Sequence, residues 1–423
     1  MKTKIFTITL AVTILIYGNL YPQVIVQRVL LNNNNISAYF QNTGIFDQNT
    51  ASANTPGFEW PRGSSKYAFF TAGLSIGCGI NGQFAQVMAS YKGEYAPGYF
   101  SNGIYTTNAN FKYYSIKRGD NSSNNPDYAN WYLMIPYGAP YIDVNNNHLY
   151  DPSIDSIGIR NAAQVIFLCM TDGDVLQHSA GEGFGGGITN PLLKAQIAWT
   201  SWCYDRDDLK DMQFMKWSVI NKNTANWDST FFSLVGDPDL GNAVDDYIGC
   251  DTIKKLGFCY NASNNDLQYG ANPPAVGMIF HKSPLGLTSY NFFTNTSSAP
   301  PPCESDPNGE PVPAYNMMQG FKKDRTQYVD VSVTPYKKTK FVYAGDPETN
   351  TGWTEYKGSM QNCNGDSTGF VLTVNPSGDR RSIFSSGSVN YTVHANDTVT
   401  IVASQLIARG TTNINSVTKL KVL

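Results

Sequence analysis

Between Pro140 and Gly158 the chain reads Tyr141-Ile142-Asp143-Val144-Asn145-Asn146-Asn147-His148-Leu149-Tyr150-Asp151-Pro152-Ser153-Ile154-Asp155, with oxygen-bearing side chains at alternate positions. Hard cations take roughly six to eight oxygen ligands at about 2.3–2.6 Å, and carboxylates and amides two residues apart in a tight loop can converge on one ion. Against the EF-hand loop template, Asp143, Asn145, Asn147 and Asp151 fall at ligand positions, and Leu149 falls where a backbone carbonyl is used. His148 replaces the turn glycine, Ile154 stands where the bidentate glutamate belongs, and Pro140 and Pro152 deny the flanking helices. The pattern predicts a calcium-holding β-hairpin loop closed by Asp155, not an EF-hand helix pair. The competing reading is an array of Asx turns in which these side chains cap their own backbone and bind no ion.

A second acidic run holds Asp237 and Asp239, then Asp245, Asp246 and Asp251. Packed together without water these carboxylates would repel one another, so they must be solvated, bonded to backbone N–H groups or neutralised by a cation. They form the second candidate metal site. The alternatives are turn capping and, as a catalytic reading, a glycosidase acid and base drawn from two of the five. Asp205-Arg206-Asp207-Asp208 reads as a solvated turn.

Other chemistry is weakly written. Gly181-Glu182-Gly183-Phe184-Gly185-Gly186 matches the dinucleotide fingerprint letter by letter, but that fingerprint needs a strand directly before it and a helix directly after it, whereas ten polar-leaning residues follow Met170, so a flexible or close-packed loop is expected. His178 beside Ser179 lacks an orienting acid nearby in sequence, and neither a nucleophile elbow nor a P-loop occurs. The four histidines stand apart from the seven cysteines, and no Cys-x-x-Cys is present, so zinc is the weaker use of the thiols. As disulfides, Cys250–Cys259 and Cys303–Cys363 are the favoured pairs, and an odd count leaves at least one thiol free in the monomer.

The elements that must carry these residues are strands. Aromatics make up 13% of the 423 residues and charged residues only 15%, with 37 Gly, 26 Tyr and 22 Phe. Such a composition favours sheet over helix. Apolar segments separated by Asn81-Gly82, Asn102-Gly103, Asn364-Gly365 and Ser377-Gly378-Asp379 predict antiparallel pairing through short turns. Expected strands include 66–76, 130–135, 163–170, 195–204, 212–220, 229–235, 275–281, 388–393 and 398–406, with one short helix at 314–321. The fold expected is an all-β, jelly-roll-like antiparallel sandwich with long ordered loop insertions and few short helices. The proline-rich stretch 297–313 reads as a surface excursion, and no fixed-period repeat is visible.

Met1-Lys2-Thr3-Lys4 followed by the apolar run Ile5 to Tyr17 predicts a signal peptide over 1–22, too short to span a bilayer. The mature chain divides into an N-terminal β-rich region, 23–190, carrying the first candidate loop, and a β-sandwich region, 191–423. Net charge is -3, and the basic clusters around Lys322 and Lys337 are short and far apart, which argues against nucleic acid as a partner.

Several strings resemble one family: Gly138-Ala139-Pro140-Tyr141-Ile142-Asp143-Val144-Asn145, Gly236-Asp237-Pro238-Asp239-Leu240-Gly241, and Asp245-Asp246-Tyr247-Ile248-Gly249-Cys250-Asp251. Pro273-Pro274-Ala275-Val276-Gly277, Gly378-Asp379-Arg380-Arg381 and the tail from Ile407 to Leu420 extend the likeness over most of the mature chain. It is similar to large exported proteins of the Bacteroidota and Ignavibacteria kind, many ending in a type IX secretion sorting domain. The resemblance implies an export route and a β-rich build, and transfers no chemistry. In such relatives the first loop is richer in Gly and Asp, so Asn146-Asn147-His148 implies weaker calcium affinity here. Similar proteins continue beyond the position of Leu423, so a truncated or short form is expected. Together the residues predict a secreted, calcium-stabilised structural or binding protein of the cell surface or extracellular space, and they name no reaction. Its expected partners are other surface proteins or extracellular polysaccharide. The alternative is a carbohydrate-binding module or hydrolase using Trp60, Trp131, Trp202 or Trp353 as sugar platforms.

Overall fold

The computed structural model of the chain describes residues 24–49, 55–178, 184, 187, 191–295, 300–365, 371–374 and 376–423. The expected signal peptide and most of the glycine-rich loop at 181–187 lie outside the described residues. The molecule is an antiparallel β-sandwich, 42% strand and 12% helix. One sheet of ten strands runs through Ser289–Thr294, Arg380–Gly387, Asp228–Asp237, Thr71–Ile80, Ile45–Phe46, Ser37–Gln41, Phe58–Glu59 and Tyr67–Phe69, with Arg28–Leu31 added on Ser37–Gln41 and Gln83–Val87 on Thr71–Ile80. The nine-stranded sheet runs through Ala96–Pro97, Gln164–Thr171, Ala195–Cys203, Met212–Asn221, Thr398–Ala408, Ala275–Lys282, Leu256–Asn261 and Asp246–Asp251, with Tyr114–Lys117 added on Gln164–Thr171. Regions 23–190 and 191–423 both contribute strands to both sheets and share the main apolar cluster.

The inner faces meet through aromatics. Trp199 and Trp217, neighbours in one sheet, stack with centroids 5.9 Å apart, and Phe40 and Phe46 of the facing sheet lie 5.6 and 6.1 Å from Trp199. Along Gln164–Thr171 every residue is buried, because Ile166, Leu168 and Met170 face the opposite sheet while Val165, Phe167 and Cys169 pack outward under Trp131 and Met134. The helix Pro311–Met318 covers the outer face of the ten-stranded sheet, with Ala314, Met317 and Met318 against Phe231, Val235 and Ile383. The helix Asn413–Leu420 does the same for the other sheet through Val417 and Leu420 on Leu256, Phe258 and Tyr260. Insertions and short helices thus cover both outer faces, which is why the strands read as apolar runs without clean alternation. Among the described residues no helix is long and apolar enough to cross a membrane.

Turn chemistry behaves as its residue types demand. Asn81 (φ 51°) and Gly82 (φ 77°) close the hairpin between Thr71–Ile80 and Gln83–Val87, both in the left-handed region a tight hairpin needs. Two expected strands are absent. Residues 130–135 lie in a helical turn, because Asn125 caps Pro126–Asn130 by accepting from Asp127 N and Tyr128 N, and the chain continues as the 3₁₀ segment Trp131–Tyr137. Residues 388–393 make only the single bridge Trp227–Val393, the chain folding back through a Tyr391 N to Ser388 O turn.

Cys303 and Cys363 form a disulfide with Cα atoms 5.5 Å apart. The expected Cys250–Cys259 bridge does not form; both are buried free thiols. In their adjacent strands Cys250 stands opposite Gly257 and Cys259 opposite Ile248, which makes them diagonal neighbours. Diagonal pairs sit about 7–8 Å apart, beyond the reach of a relaxed disulfide.

One buried acid gives the fold a pH dependence. Asp172 follows the strand Gln164–Thr171, and its carboxylate accepts from Ala195 N at 2.7 Å and Lys194 N at 3.1 Å. Burial pushes its carboxyl from 3.8 up to about 7, against the pull of those backbone donors. The folded state therefore holds a proton that the unfolded chain releases at lower pH, so this group's contribution falls as pH rises from about 4 through about 7. Asp172→Asn is expected to flatten that part of the melting-temperature profile between pH 4 and 8, measured calorimetrically with chelator present. An unchanged slope would assign the dependence to other acids.

Candidate functional site

The first loop folds as a self-capping array. Tyr141–Ile142 pairs with Ser156–Ile157, forming the hairpin stem the spacing predicts. Asp143 accepts from Asn147 N at 3.2 Å and His148 N at 2.8 Å; Asp155 accepts from Val144 N and Asp151 N, both at 2.8 Å. Asn145 and Asn147 donate their amides to Asp151 at 3.0 and 2.7 Å, and Asn147 Oδ1 accepts from Leu149 N at 2.8 Å. His148 adopts φ 62°, the left-handed conformation that glycine takes in the template. All the predicted side chains are brought into one loop, and most of their oxygens accept from backbone donors or from the two amides. This is the hydrogen-bonding pattern of the Asx-turn alternative.

The second acidic run separates into three places. Asp251 caps its own turn, accepting from Ile253 N at 3.1 Å and Lys254 N at 3.0 Å, and faces Lys421 at 3.7 Å. Asp246, fully buried at the other end of the same strand, accepts from Leu240 N at 3.0 Å, while Asp245 accepts from Asn261 Nδ2 at 2.6 Å. A strand advances about 3.3 Å per residue, so Asp246 and Asp251 cannot share an ion.

Asp237 and Asp239 instead meet Asp379. Asp237 is the last residue of Asp228–Asp237, and Asp379 immediately precedes Arg380–Gly387, its antiparallel neighbour with Gly236 opposite Ser382. One strand's end therefore lies beside the other's beginning. The three carboxylates each offer an oxygen within 4.8 Å of the others. Oxygens bound to one calcium ion at roughly 2.4 Å lie no more than about 4.8 Å apart, so the three can reach a single ion. Asp237 Oδ2 accepts from Tyr91 Oη at 3.0 Å and lies 3.4 Å from Arg381 Nη2; Arg381 Nη1 is 2.8 Å from Asp379 Oδ1. Arg381 Nε also donates to Tyr91 Oη. Asp237 Oδ1 is buried with no hydrogen-bond partner, and the residue is 2% exposed.

The electrostatics state the imbalance. Burial, then the charges of Asp239 and Asp379, drives the Asp237 carboxyl well above the usual carboxylate range, with Arg381 and Tyr91 opposing. Burial, then Asp379, pushes Asp239 up to about 7. For Arg381 burial disfavours the charge, but Asp237, Tyr91 and Asp379 outweigh it and hold the guanidinium protonated. Three carboxylates face one guanidinium, and an oxygen donor set with excess negative charge suits a hard divalent cation. Asp379 stood in the sequence as a turn residue beside Arg380-Arg381; nothing local tied it to Asp237.

The other group of suitable ligands among the described residues, Cys303, Asp324 and Cys363, has both sulfurs committed to the disulfide. Trp131 and Trp353 are fully enclosed and Trp60 nearly so, while half-buried Trp202 stacks on Phe214 at 5.5 Å. The three enclosed rings are packing residues. A surface hollow of about 510 Å³ is lined by Ile25, Pro97, Tyr105, Phe111, Lys112 and Asp174. Its charges are already engaged: Lys112 pairs with Asp127, and Asp174 caps a helical turn through Leu176 N and Gln177 N. Asp205 pairs with Arg118, and Arg206 with Asp208, on the exposed surface. Compared with protein-family models and with curated proteins, the chain matches none.

Proposed function

We propose that the protein is an exported structural or binding module of the cell surface or extracellular space, whose sandwich is stabilised by a divalent cation, calcium by preference, at Asp237, Asp239 and Asp379. The observation that carries this reading is the carboxylate triad with Asp237 Oδ1 buried and unpartnered. An ion there would join the ends of two central strands and offset the burial, and behind it the mutual repulsion, that raise the Asp237 and Asp239 carboxyls. The Cys303–Cys363 disulfide and the resemblance to exported proteins support the location. Trp60, Trp131 and Trp353 are packed inward and half-buried Trp202 stacks on Phe214, which favours the structural reading over the carbohydrate alternative.

Thermal unfolding in chelator and in millimolar calcium tests the reading. A ligand at about 100 times its dissociation constant adds about 2.7 kcal/mol to the folded state, so the midpoint is expected to rise by several degrees. Asp379→Asn should abolish most of that rise and Asp143→Ala should leave it intact. No rise in calcium or magnesium would sink the proposal, and a rise lost only in Asp143→Ala would move the ion to the first loop.

A further inference from the structure

Beside the disulfide, three side chains that can form a covalent bond with one another meet out of water. Lys322 Nζ lies 2.5 Å from Glu304 Oε1, 2.9 Å from Asn362 Oδ1 and 3.0 Å from the Met360 carbonyl oxygen. Lys322 is 1% exposed, Glu304 2% and Asn362 8%. The Tyr328 ring, itself buried, stands over the amine with its centroid 5.4 Å away. The arrangement is built by tertiary structure: Glu304 adjoins Cys303 and Asn362 adjoins Cys363, so the disulfide holds acid and amide together, and Lys322 enters from the turn after the helix Pro311–Met318.

We propose that Lys322 and Asn362 condense spontaneously into an intramolecular amide, with Glu304 carrying the protons. The amine hydrogen-bonds the Asn362 Oδ1 at 2.9 Å, which places the Cγ one carbonyl bond of about 1.2 Å further on, and a small rotation of the amide turns that carbon toward the amine. Glu304 takes a proton from Nζ, and the freed lone pair attacks Cγ. The carbonyl electrons move to Oδ1 and return as the Cγ–Nδ2 bond breaks. Nζ gives up two protons in all, both ending on Nδ2, which departs as ammonium while Glu304 regains its starting state. Nothing is oxidised or reduced, and no co-reactant is needed. A cavity of about 190 Å³ lined by Glu304 and Gln361 offers the ammonium a way out. The bond also removes a buried ammonium, whose desolvation an ion pair repays only in part.

Electrostatics alone would leave the same residues as a buried ion pair, and peptide-level mass spectrometry separates the two. Full-length protein is reduced, denatured, digested with trypsin and sequenced by fragmentation. The expected product is a branched peptide joining Lys322 to Asn362, lighter than its two parts by one ammonia, about 17 Da, and uncut after Lys322. Fragmentation must locate the link, since ammonia loss by cyclisation at Asn364-Gly365 changes mass without joining peptides. Asn362→Asp should yield the same branched product by loss of water, and Glu304→Gln should leave it unformed. Wild-type digests containing only linear peptides, with Lys322 cleaved and Asn362 intact, would overturn the proposal. Equal yield of link in Glu304→Gln would remove the acid from it.

Discussion

Trp217→Ala is expected to lower the unfolding free energy by about 3–5 kcal/mol, and Trp217→Phe by much less. Trp217 is fully buried in Met212–Asn221, stacked on Trp199, with the Phe46 centroid of the facing sheet 6.3 Å away. Truncation opens a cavity between two sheets whose antiparallel ladders prevent collapse, so little of the lost contact is recovered. Its indole N–H is buried without a hydrogen-bond partner, so phenylalanine gives up volume but no bond, and relieves an unsatisfied donor. Denaturant unfolding of the two variants measures this. A loss under about 1 kcal/mol for alanine would mean that the sheets do not meet at this ring.

Removing the disulfide as Cys303→Ser with Cys363→Ser should cost about 4 kcal/mol, the chain-entropy value for a closed loop of 60 residues. The effect is local in origin and wide in consequence, because the bridge ties the segment after Ser289–Thr294 to the turn after Ser359–Gln361. It also positions Glu304 beside Asn362. If the Lys322–Asn362 amide is present, reducing the mature protein costs less than deleting both cysteines before folding, since the amide already closes most of the same loop. Comparing the melting midpoint of reduced wild type with that of the double variant decides the point; equal losses would mean that the disulfide acts alone.

Much of the build could be read from residue types. Asn81-Gly82 gave its hairpin because its backbone preferences are local, and the strands at 163–170, 195–204, 212–220 and 398–406 matched because their length and apolar content exceed what a short buried helix offers. The errors also have local causes. The 130–135 segment carries the aromatic and β-branched residues of a strand, yet Asn125 and Pro126 start a helical turn just upstream, and burial of Trp131 and Met134 satisfies either geometry. Cys250 and Cys259 had a suitable separation, but pairing register set them diagonally.

The sites divide along the same line. Sequence by itself determined that Asp143, Asn145, Asn147, Asp151 and Asp155 would share one turn, since alternate side chains in a short hairpin have nowhere else to go, and that Asp237 and Asp239 would lie together. Only tertiary structure decided that Asp237 and Asp239 join Asp379, and that Lys322, Glu304 and Asn362 meet in a dry pocket. Spacing along the chain cannot encode those meetings. They depend on which strand lies beside which, a choice made by burying aromatic faces across the whole sandwich, and the polar groups take the neighbours that this packing leaves them.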